Sequence, residues 1–254
     1  MKLFFLSVIT AANLCLSSLP AAEPAMSGAE LADRMNVSSQ GNASIRARLE
    51  IRSGGGAHSF QLQIKQRRTK TATDILYEVL WPNERRGETV VLHQAQNASK
   101  GWTAVPQQPV REITASQMSE GLFDSDLSYQ DAVENFFAWK KQAIVGAEPV
   151  NGINCQILES TSDTPSTSVY AKVRSWVDTH RFVPLRVEKY SASGDVVRRI
   201  DITRVAFDEK HKPIPANFTV HGPRKDSVTE LNGARIDQDV QFTDADFAPP
   251  DNSR

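Results

Sequence analysis

Cysteine is nearly absent from this 254-residue chain, which holds only Cys15 and Cys155. Cys15 lies in an N-terminal segment with the pattern of a removable leader, so the mature chain keeps Cys155 alone and an internal disulfide is excluded. Cys155 stands in Ile153–Ile157, where apolar and polar residues alternate as in a half-buried strand. We therefore expect it to pack as a small apolar side chain rather than to react.

Long apolar runs are also scarce. The one at Leu3–Leu16 follows Lys2 and precedes small residues, which is the pattern of a secretory signal peptide. It falls short of the roughly 20 apolar residues of a membrane span. We expect cleavage near Ala21 or Ala22, which removes residues 1–22 and leaves an exported, soluble protein. A lipid anchor on Cys15 is not expected, because a bulky leucine stands one position before it.

No excess of positive charge exists: 29 basic residues face 30 acidic ones. The basic stripe of a nucleic-acid-binding protein is therefore missing. Common enzyme signatures are missing too, including the nucleophile elbow, the Walker loop and the zinc-binding helix. The five histidines stand singly in the sequence, at His58, His93, His180, His211 and His221. The sequence thus predicts no catalytic residue, no metal site and no cofactor.

Alternation of apolar and polar residues is the dominant pattern of the chain, and it is typical of half-buried strands. No strand–helix–strand alternation is present, so an antiparallel rather than a parallel sheet is expected. A short helix is predicted at Gly28–Met35, before the strands. No break in composition divides the rest, and we expect one domain over residues 23–254. After the first hairpin, strands are predicted at Thr73–Trp81, Glu88–Gln94, Trp102–Val105, Ala138–Val145, Ile153–Ser160, Val169–Asp178, Val183–Tyr190, Val196–Val205, Ala216–His221 and Ser227–Gln241.

The first two strands of this pattern are joined by three glycines, residues 54–56, whose flexible backbone suits a hairpin. Because side chains alternate between the two faces of a strand, one set should face the interior and the other solvent. The expected interior set is Ile45, Leu49, Phe60, Leu62 and Ile64. The expected solvent set is Arg46, Arg48, Gln61 and Lys65.

The stretch Gly121–Val133, GLFDSDLSYQDAV, departs from this pattern. As a calcium loop it fails, because Tyr129 stands where a glycine is needed and Asn135 where a bidentate glutamate is needed. As a catalytic carboxylate pair, Asp124 and Asp126 lack neighbours in the sequence that would separate their pKa values.

A structural interpretation of the same stretch fits better. Ser128 and Asp131 have the spacing of a capping box, which starts a helix, and Asp126 would place its charge near the positive helix end. An apolar helical face is then predicted from Ala132, Val133, Phe136 and Phe137. We expect a loop and short helix that act as a lid over the sheet. Its apolar contacts are predicted to come from Leu122, Phe123, Leu127 and Tyr129.

The stretch GLFDSDLSYQDA resembles the G-S-D-F-S-Y-E-D-L motif of the outer-membrane lipoprotein-sorting protein family, the LolA/LolB-like proteins of bacterial periplasms. Further similar segments follow in the family's order, and the resemblance covers roughly residues 40–247. Leu127 stands where the family has Phe, and Gln130 where it has Glu. The other segments are WPNERRGE (81–88), GWTAVP (101–106), VNGINCQILES (150–160) and the block from Tyr170 to Ile200.

The resemblance implies a mainly β fold: a strongly curved antiparallel sheet, or unclosed half-barrel, with a helical lid. It further implies a periplasmic carrier or chaperone whose apolar interior accepts the acyl chains of a lipid or lipoprotein and passes them towards the outer membrane or a transporter. An inner-membrane lipid exporter is the partner it suggests. The residues that would line the acyl site are Ile45, Leu49, Phe60, Leu62, Ile64, Leu122, Phe123, Leu127 and Tyr129.

Two other function classes remain open from the sequence. The same half-barrel could serve as a non-catalytic protein-interaction module of the cell envelope, or as a lipid hydrolase. A copurifying lipid would separate the carrier from the interaction module, and a hydrolase would need a nucleophile and base that the sequence does not reveal.

Overall fold

The computed structural model describes residues 26–95, 98–162, 168–208 and 210–249. The predicted leader, residues 1–22, and Cys15 within it lie outside the described residues. The prediction of a single domain over residues 23–254 stays a prediction.

The described residues build one antiparallel sheet of thirteen strands. Two α-helices accompany it, α1 (Gly28–Ser38) and α2 (Tyr129–Val133). The strands are β1 (Gly41–Ser53), β2 (Gly56–Arg68), β3 (Ala72–Trp81), β4 (Thr89–Ala95), β5 (Ala98–Ala104), β6 (Arg111–Ile113), β7 (Lys141–Val150), β8 (Ile153–Thr161), β9 (Lys172–Asp178), β10 (Val183–Tyr190), β11 (Val196–Phe207), β12 (Pro213–His221) and β13 (Val228–Gln238).

The sheet consists of two meanders that meet along one seam. Strands β1 to β6 follow one another in space, as do β7 to β13, and β1 pairs with β13 between them. The two edges are therefore β6 and β7, and the sheet is not closed into a barrel. The segment that connects β6 to β7 has to cross from one edge to the other. It crosses on the concave side and forms the lid.

The alternation pattern located most strands correctly. Strand β10 has the predicted ends and β8 differs by one residue, whereas β7 begins only at Lys141 because Phe136–Ala138 forms a 3-10 turn. Strand β9 begins at Lys172 rather than at Val169, and β12 starts at Pro213, ahead of the predicted Ala216. Strand β6 was missed, since three residues are too few to show a period.

The first hairpin has the predicted geometry and faces. Ser53 pairs with Gly56, so the glycine-rich loop turns the chain directly from β1 into β2. Leu49, Phe60, Leu62 and Ile64 are buried on the concave face. Arg46, Arg48 and Gln61 are exposed on the other face, while Ile45 and Lys65 are half-buried on their expected sides.

A bulge interrupts the strand pairing where the two meanders meet. The β1–β13 register shifts between Arg46 and Ala47, which faces Gly233, and such bulges bend and twist a sheet. The Gly233 backbone lies so close to β12 that an added Cβ would stand 2.9 Å from the Ala216 carbonyl oxygen. A residue larger than glycine would therefore force these strands apart.

Helix α1 covers the other end of the concave face. Ser27 and Glu30 form a capping box at its start, and the helix extends past the predicted end at Met35 to Ser38. Leu31 and Met35, predicted to share a face, are both buried and pack against Leu158 and Val177 of β8 and β9.

Candidate ligand-binding site

The lid begins as a tight loop on the concave face. Gly121 forms a β-bridge with Ser128, and between them Leu122–Asp124 makes a 3-10 turn in which Phe123 has a φ of 52°. This left-handed conformation is uncommon for a large side chain. With this backbone conformation, the Phe123 ring stacks on the Phe60 ring, and the ring centroids are 5.9 Å apart. The turn therefore buries an aromatic side chain in the apolar core.

Helix α2 starts at the predicted capping box. The Asp131 backbone N–H donates to Ser128 Oγ at 3.1 Å, and the Ser128 backbone N–H donates to Asp131 Oδ2 at 2.8 Å. The helix nevertheless ends at Val133, because Glu134 is extended. The predicted helical face through Phe136 and Phe137 is therefore wrong: both residues lie in a separate 3-10 turn.

The partners of the Asp126 carboxylate lie at the start of β13, which the sequence did not indicate. Its buried carboxylate accepts hydrogen bonds from Ser227 Oγ at 2.7 Å and Thr229 Oγ1 at 3.0 Å. Arg224 lies 3.3 Å from the other carboxylate oxygen. The charge of Asp126 thus fastens the lid loop to the start of β13.

Asp131 has a second role that the sequence did not reveal. Its fully buried carboxylate contacts Lys189 Nζ at 2.7 Å and Arg198 Nε at 2.8 Å. The Tyr170 hydroxyl donates to the same carboxylate at 2.7 Å. Lys189 lies on β10 and Arg198 on β11, so this group ties α2 to the second meander.

The pKa values in this group follow from burial and from its charges. Burial would raise the pKa of the Asp131 carboxyl, but Lys189 and Arg198 outweigh it and hold that pKa below its usual range. Burial, with the neighbouring Asp131 charge, raises the pKa of Tyr170 well above its usual range. Asp131 is therefore an ionised acceptor and Tyr170 a neutral donor at neutral pH.

The charged members of the group could have been suspected from the strand periods. Lys189 continues the buried positions of Val183, Leu185 and Val187 on β10, and Arg198 precedes Ile200 and Ile202 on one face of β11. A basic residue in register with an apolar face signals a buried partner. The partner, Asp131, could not be chosen from the sequence, because it lies on a distant segment.

A cavity of about 380 Å³ lies between the lid, α1 and the concave face of the sheet, within the roughly 300–1,000 Å³ typical of small-molecule sites. Its walls are mainly apolar. They include Met35 of α1, Leu127 and Ala132 of the lid, and Ile45, Ile64, Ile200, Phe218, Leu231 and Ile236 of the sheet. The arrangement can surround an apolar ligand and shield it from water.

The nine predicted ligand-binding residues converge. All belong to, or pack against, one apolar cluster on the concave face. Ile45, Ile64 and Leu127 line the cavity directly. The other six, Leu49, Phe60, Leu62, Leu122, Phe123 and Tyr129, lie in the cluster beneath the lid loop without lining that cavity. Whether they contact an acyl chain stays a prediction.

The two carboxylates first considered as a catalytic pair occupy different surroundings. The side chain of Asp124 is 91% exposed, whereas that of Asp126 is fully buried among its β13 partners. Within the described residues, no group of three or more His, Cys, Asp or Glu side chains is placed to hold a metal ion. Cys155 is buried in β8 among Val150, Trp176 and Leu185, as predicted.

None of the helices in the described part of the chain has the length and apolar character needed to cross a membrane.

Comparison with known proteins gives one family and several similar structures. A family model described as "-like: Uncharacterized protein" matches residues 71–250. No curated protein matches the chain. A DUF1329 family protein from Desulfovibrio piger is 22% identical, with a TM-score of 0.80 over 87% of this chain and 95% of that one.

Two further structures carry family names that bear on the resemblance. A putative outer membrane lipoprotein-sorting protein domain from Vibrio parahaemolyticus is 17% identical, with a TM-score of 0.78 over 87% of this chain and 95% of that one. A LolA superfamily protein from Nitrosomonas europaea is 15% identical, with a TM-score of 0.70 over 89% of this chain and 99% of that one.

The matched region, residues 71–250, covers well over half of the chain and runs from β3 to the end of the described residues. The three similar structures align with this chain over at least 95% of their own length. The chain therefore belongs to the family whose model matches residues 71–250, and its fold is that of the DUF1329, lipoprotein-sorting and LolA superfamily structures.

Proposed function

We propose that this protein is a periplasmic carrier that shields the acyl chains of a lipid or lipoprotein and passes them towards the outer membrane or a transporter. The observation that carries the proposal is the apolar cavity of about 380 Å³ beneath the lid. Burying an acyl chain there removes its methylenes from water, at about 0.8 kcal/mol for each. The lipoprotein-sorting name of one structural neighbour supports the same assignment.

In this proposal residues of both the lid and the sheet contact the acyl chain. Ile45, Ile64 and Leu127 contact the chain, and the packed residues around Phe60 and Phe123 keep the lid loop in place. The lid would have to move for a chain to enter or leave. Transfer then requires no covalent step, because a ligand moves from donor to carrier to acceptor according to its relative affinity for each.

The location and partners form the second part of the proposal. Residues 1–22 would direct export and be removed, which places the carrier in the periplasm. An inner-membrane lipid exporter is the proposed donor or companion. Free lipids and lipoproteins both carry acyl chains, so either could bind in the apolar cavity.

The direct test is native mass spectrometry of the protein expressed with its leader and purified from the periplasm without detergent. The proposal expects a mass above that of the polypeptide, which is lost on denaturation, with acyl species recovered in the extract. A polypeptide that is empty in this measurement, and that also fails to bind a fluorescent fatty acid, would favour a protein-interaction module instead.

A further inference from the structure

Strand β2 ends at Arg68, a basic residue on the concave face of the sheet. Along this strand Phe60, Leu62 and Ile64 are buried on the concave side, and the same two-residue period brings Arg68 onto that side. Arg68 lines the apolar cavity. Its neighbour Arg67 has the opposite orientation and pairs with Asp74 and Asp244 at 2.8 and 2.9 Å.

Among the described residues, no carboxylate forms an ion pair with Arg68. Its Nη2 donates to the Ala132 carbonyl oxygen at 3.1 Å, while its Nε is shielded from solvent and has no hydrogen-bond partner within the described residues. Burial lowers the pKa of Arg68, although an arginine remains charged at neutral pH. Arg68 is half-buried and lines an apolar wall, and an unpaired charge is costly in such surroundings. This position is therefore suited to an incoming anion.

A second donor faces the same space. Tyr77 lies on the inner face of β3 and also lines the cavity. Burial raises the pKa of its hydroxyl to about 12, despite the nearby Arg68 charge. The hydroxyl therefore keeps its proton at neutral pH, and it donates no hydrogen bond inside the described part of the chain. Arg68 and Tyr77 thus line the same apolar cavity and are near enough for their charges to interact.

Asp131 is an acidic residue that also lines the cavity, and its charge helps to raise the pKa of Tyr77. Lys189 and Arg198 already contact its carboxylate at 2.7 and 2.8 Å. These two cations exceed the single charge of Asp131, so the group does not repel an anion held by Arg68.

We propose that the cavity selects an amphiphile with an acidic head, a carboxylate or a phosphate, whose oxygens accept hydrogen bonds from Arg68 and Tyr77 while its acyl chain lies among the apolar walls. This rests on the proposed acyl-binding function and deepens it by naming the ligand class. Charge-assisted hydrogen bonds are stronger than neutral ones, so the acidic head decides which acyl lipids bind best.

The test compares ligands that differ only in the head. Displacement of the neutral dye N-phenyl-1-naphthylamine is measured with hexadecanoic acid and with 1-hexadecanol at pH 8, below their aggregation concentrations. The wild-type protein should bind the acid about tenfold more tightly than the alcohol, as expected for one charge-assisted hydrogen bond. Lysophosphatidic acid against monoacylglycerol gives the phosphate arm, and the larger ratio identifies the preferred head.

Variants then assign the preference to residues. Arg68→Met should bring the affinity for the acid close to that for the alcohol and leave the alcohol within about twofold of wild type. Tyr77→Phe should reduce the preference in part, by a smaller factor. Arg67→Met is the matched control, because its side chain lies on the other face, and it should keep the full preference.

The outcomes separate this inference from the function on which it rests. If acid and alcohol displace the dye equally from the wild type in both arms, the acidic-head inference is wrong while acyl binding stands. If Arg68→Met weakens acid and alcohol by the same factor, Arg68 acts only through its bond to the lid, and the inference also fails. If no amphiphile displaces the dye, the carrier function itself is contradicted.

Discussion

At the scale of single residues, Asp131 connects local helix formation with tertiary structure. One of its oxygens accepts the Ser128 backbone N–H of the capping box, and the carboxylate also contacts Lys189 and Arg198. The residue that starts α2 therefore also decides where the helix is attached. Loss of its charge should both weaken the cap and leave two buried cations without a partner.

We predict that Asp131→Asn destabilises the fold by about 3–5 kcal/mol, the range observed when one partner is removed from a buried ion pair. Urea unfolding at pH 7 measures this. The matched control is Asp124→Asn in the same segment, where the side chain is 91% exposed and the change should stay within about 0.5 kcal/mol. Equal effects of the two substitutions would contradict the role assigned to the buried group.

The stabilisation that Asp131 provides should decrease as the pH falls. The folded-state pKa of Asp131 lies below its usual range, which is about 3.9 for an unfolded chain. Its stabilising contribution is therefore complete above the unfolded pKa and is lost as pH falls through the folded one. The stability difference between wild type and Asp131→Asn should shrink when urea unfolding is repeated from pH 7 down to pH 3. A stability difference that stays constant across that pH range would show that the ionised Asp131 carboxylate is not its source.

At the scale of elements, α2 depends on contacts outside itself. It has five residues, and helices of this length are not stable alone in water. Its cap, its ion group and the Arg68 bond to the Ala132 carbonyl oxygen hold it to both meanders. The lid should therefore respond to local substitutions while the sheet remains folded.

Ser128→Ala should loosen the lid by about 1 kcal/mol, the usual cost of a lost N-cap. Hydrogen exchange is expected to accelerate within Gly121–Phe137 and to remain unchanged in β1 and β2. Ser27→Ala is a matched control, because Ser27 makes the same capping box at α1 and should loosen α1 instead. Protection lost equally throughout the sheet would mean that the lid is not a separate element.

Removing apolar lid contacts should change ligand exchange more than stability of the sheet. The double substitution Phe123→Ala with Leu127→Ala deletes one side chain packed on Phe60 and one that lines the cavity. We expect a fluorescent fatty acid to bind more weakly or to dissociate faster in stopped-flow measurements. If the affinity and the dissociation rate are both unchanged, the lid does not control ligand binding or release.

Elements with a repeating pattern could be predicted from the sequence, and those defined by distant contacts could not. Strand β10 was located residue for residue, and the Ser128–Asp131 cap was identified from spacing alone. By contrast, Asp126 has the sequence position of a helix-end charge but binds β13. Arg68, Lys189 and Arg198 continue apolar strand faces, yet whether such a cation is paired or free depends on a segment far away in the chain.

At the scale of the whole molecule, two meanders share one seam and the lid spans their free edges. The concave face is thereby divided into a packed part, around Phe60 and Phe123, and an open part, the cavity. This division explains why the nine predicted residues lie in one cluster but only Ile45, Ile64 and Leu127 line the chamber. The alternation of apolar residues predicts which side chains lie on the concave face. The packing of the lid determines where a cavity remains on that face.

The two faces of the sheet should differ sharply in their tolerance of charge. Leu62 is fully buried, and Leu62→Asp should cost at least about 3 kcal/mol by burying a carboxylate without a partner. Gln61→Asp places the same group on the exposed face of β2 and should cost less than about 0.5 kcal/mol. Urea unfolding compares them, and similar costs would show that the faces are assigned wrongly.

The central claim is that an acyl chain occupies the cavity between lid and sheet. Ile45 lines this cavity and lies half-buried on β1 opposite Ile64, so Ile45→Trp should fill the space at a cost to stability of about 1–3 kcal/mol. Arg46→Trp adds the same ring to the outer face as a control. In equilibrium titration with a fluorescent fatty acid, we expect Ile45→Trp to weaken binding at least about tenfold and Arg46→Trp to bind as wild type does. Wild-type affinity in a folded Ile45→Trp variant would contradict the account, because the chain would then have to bind elsewhere.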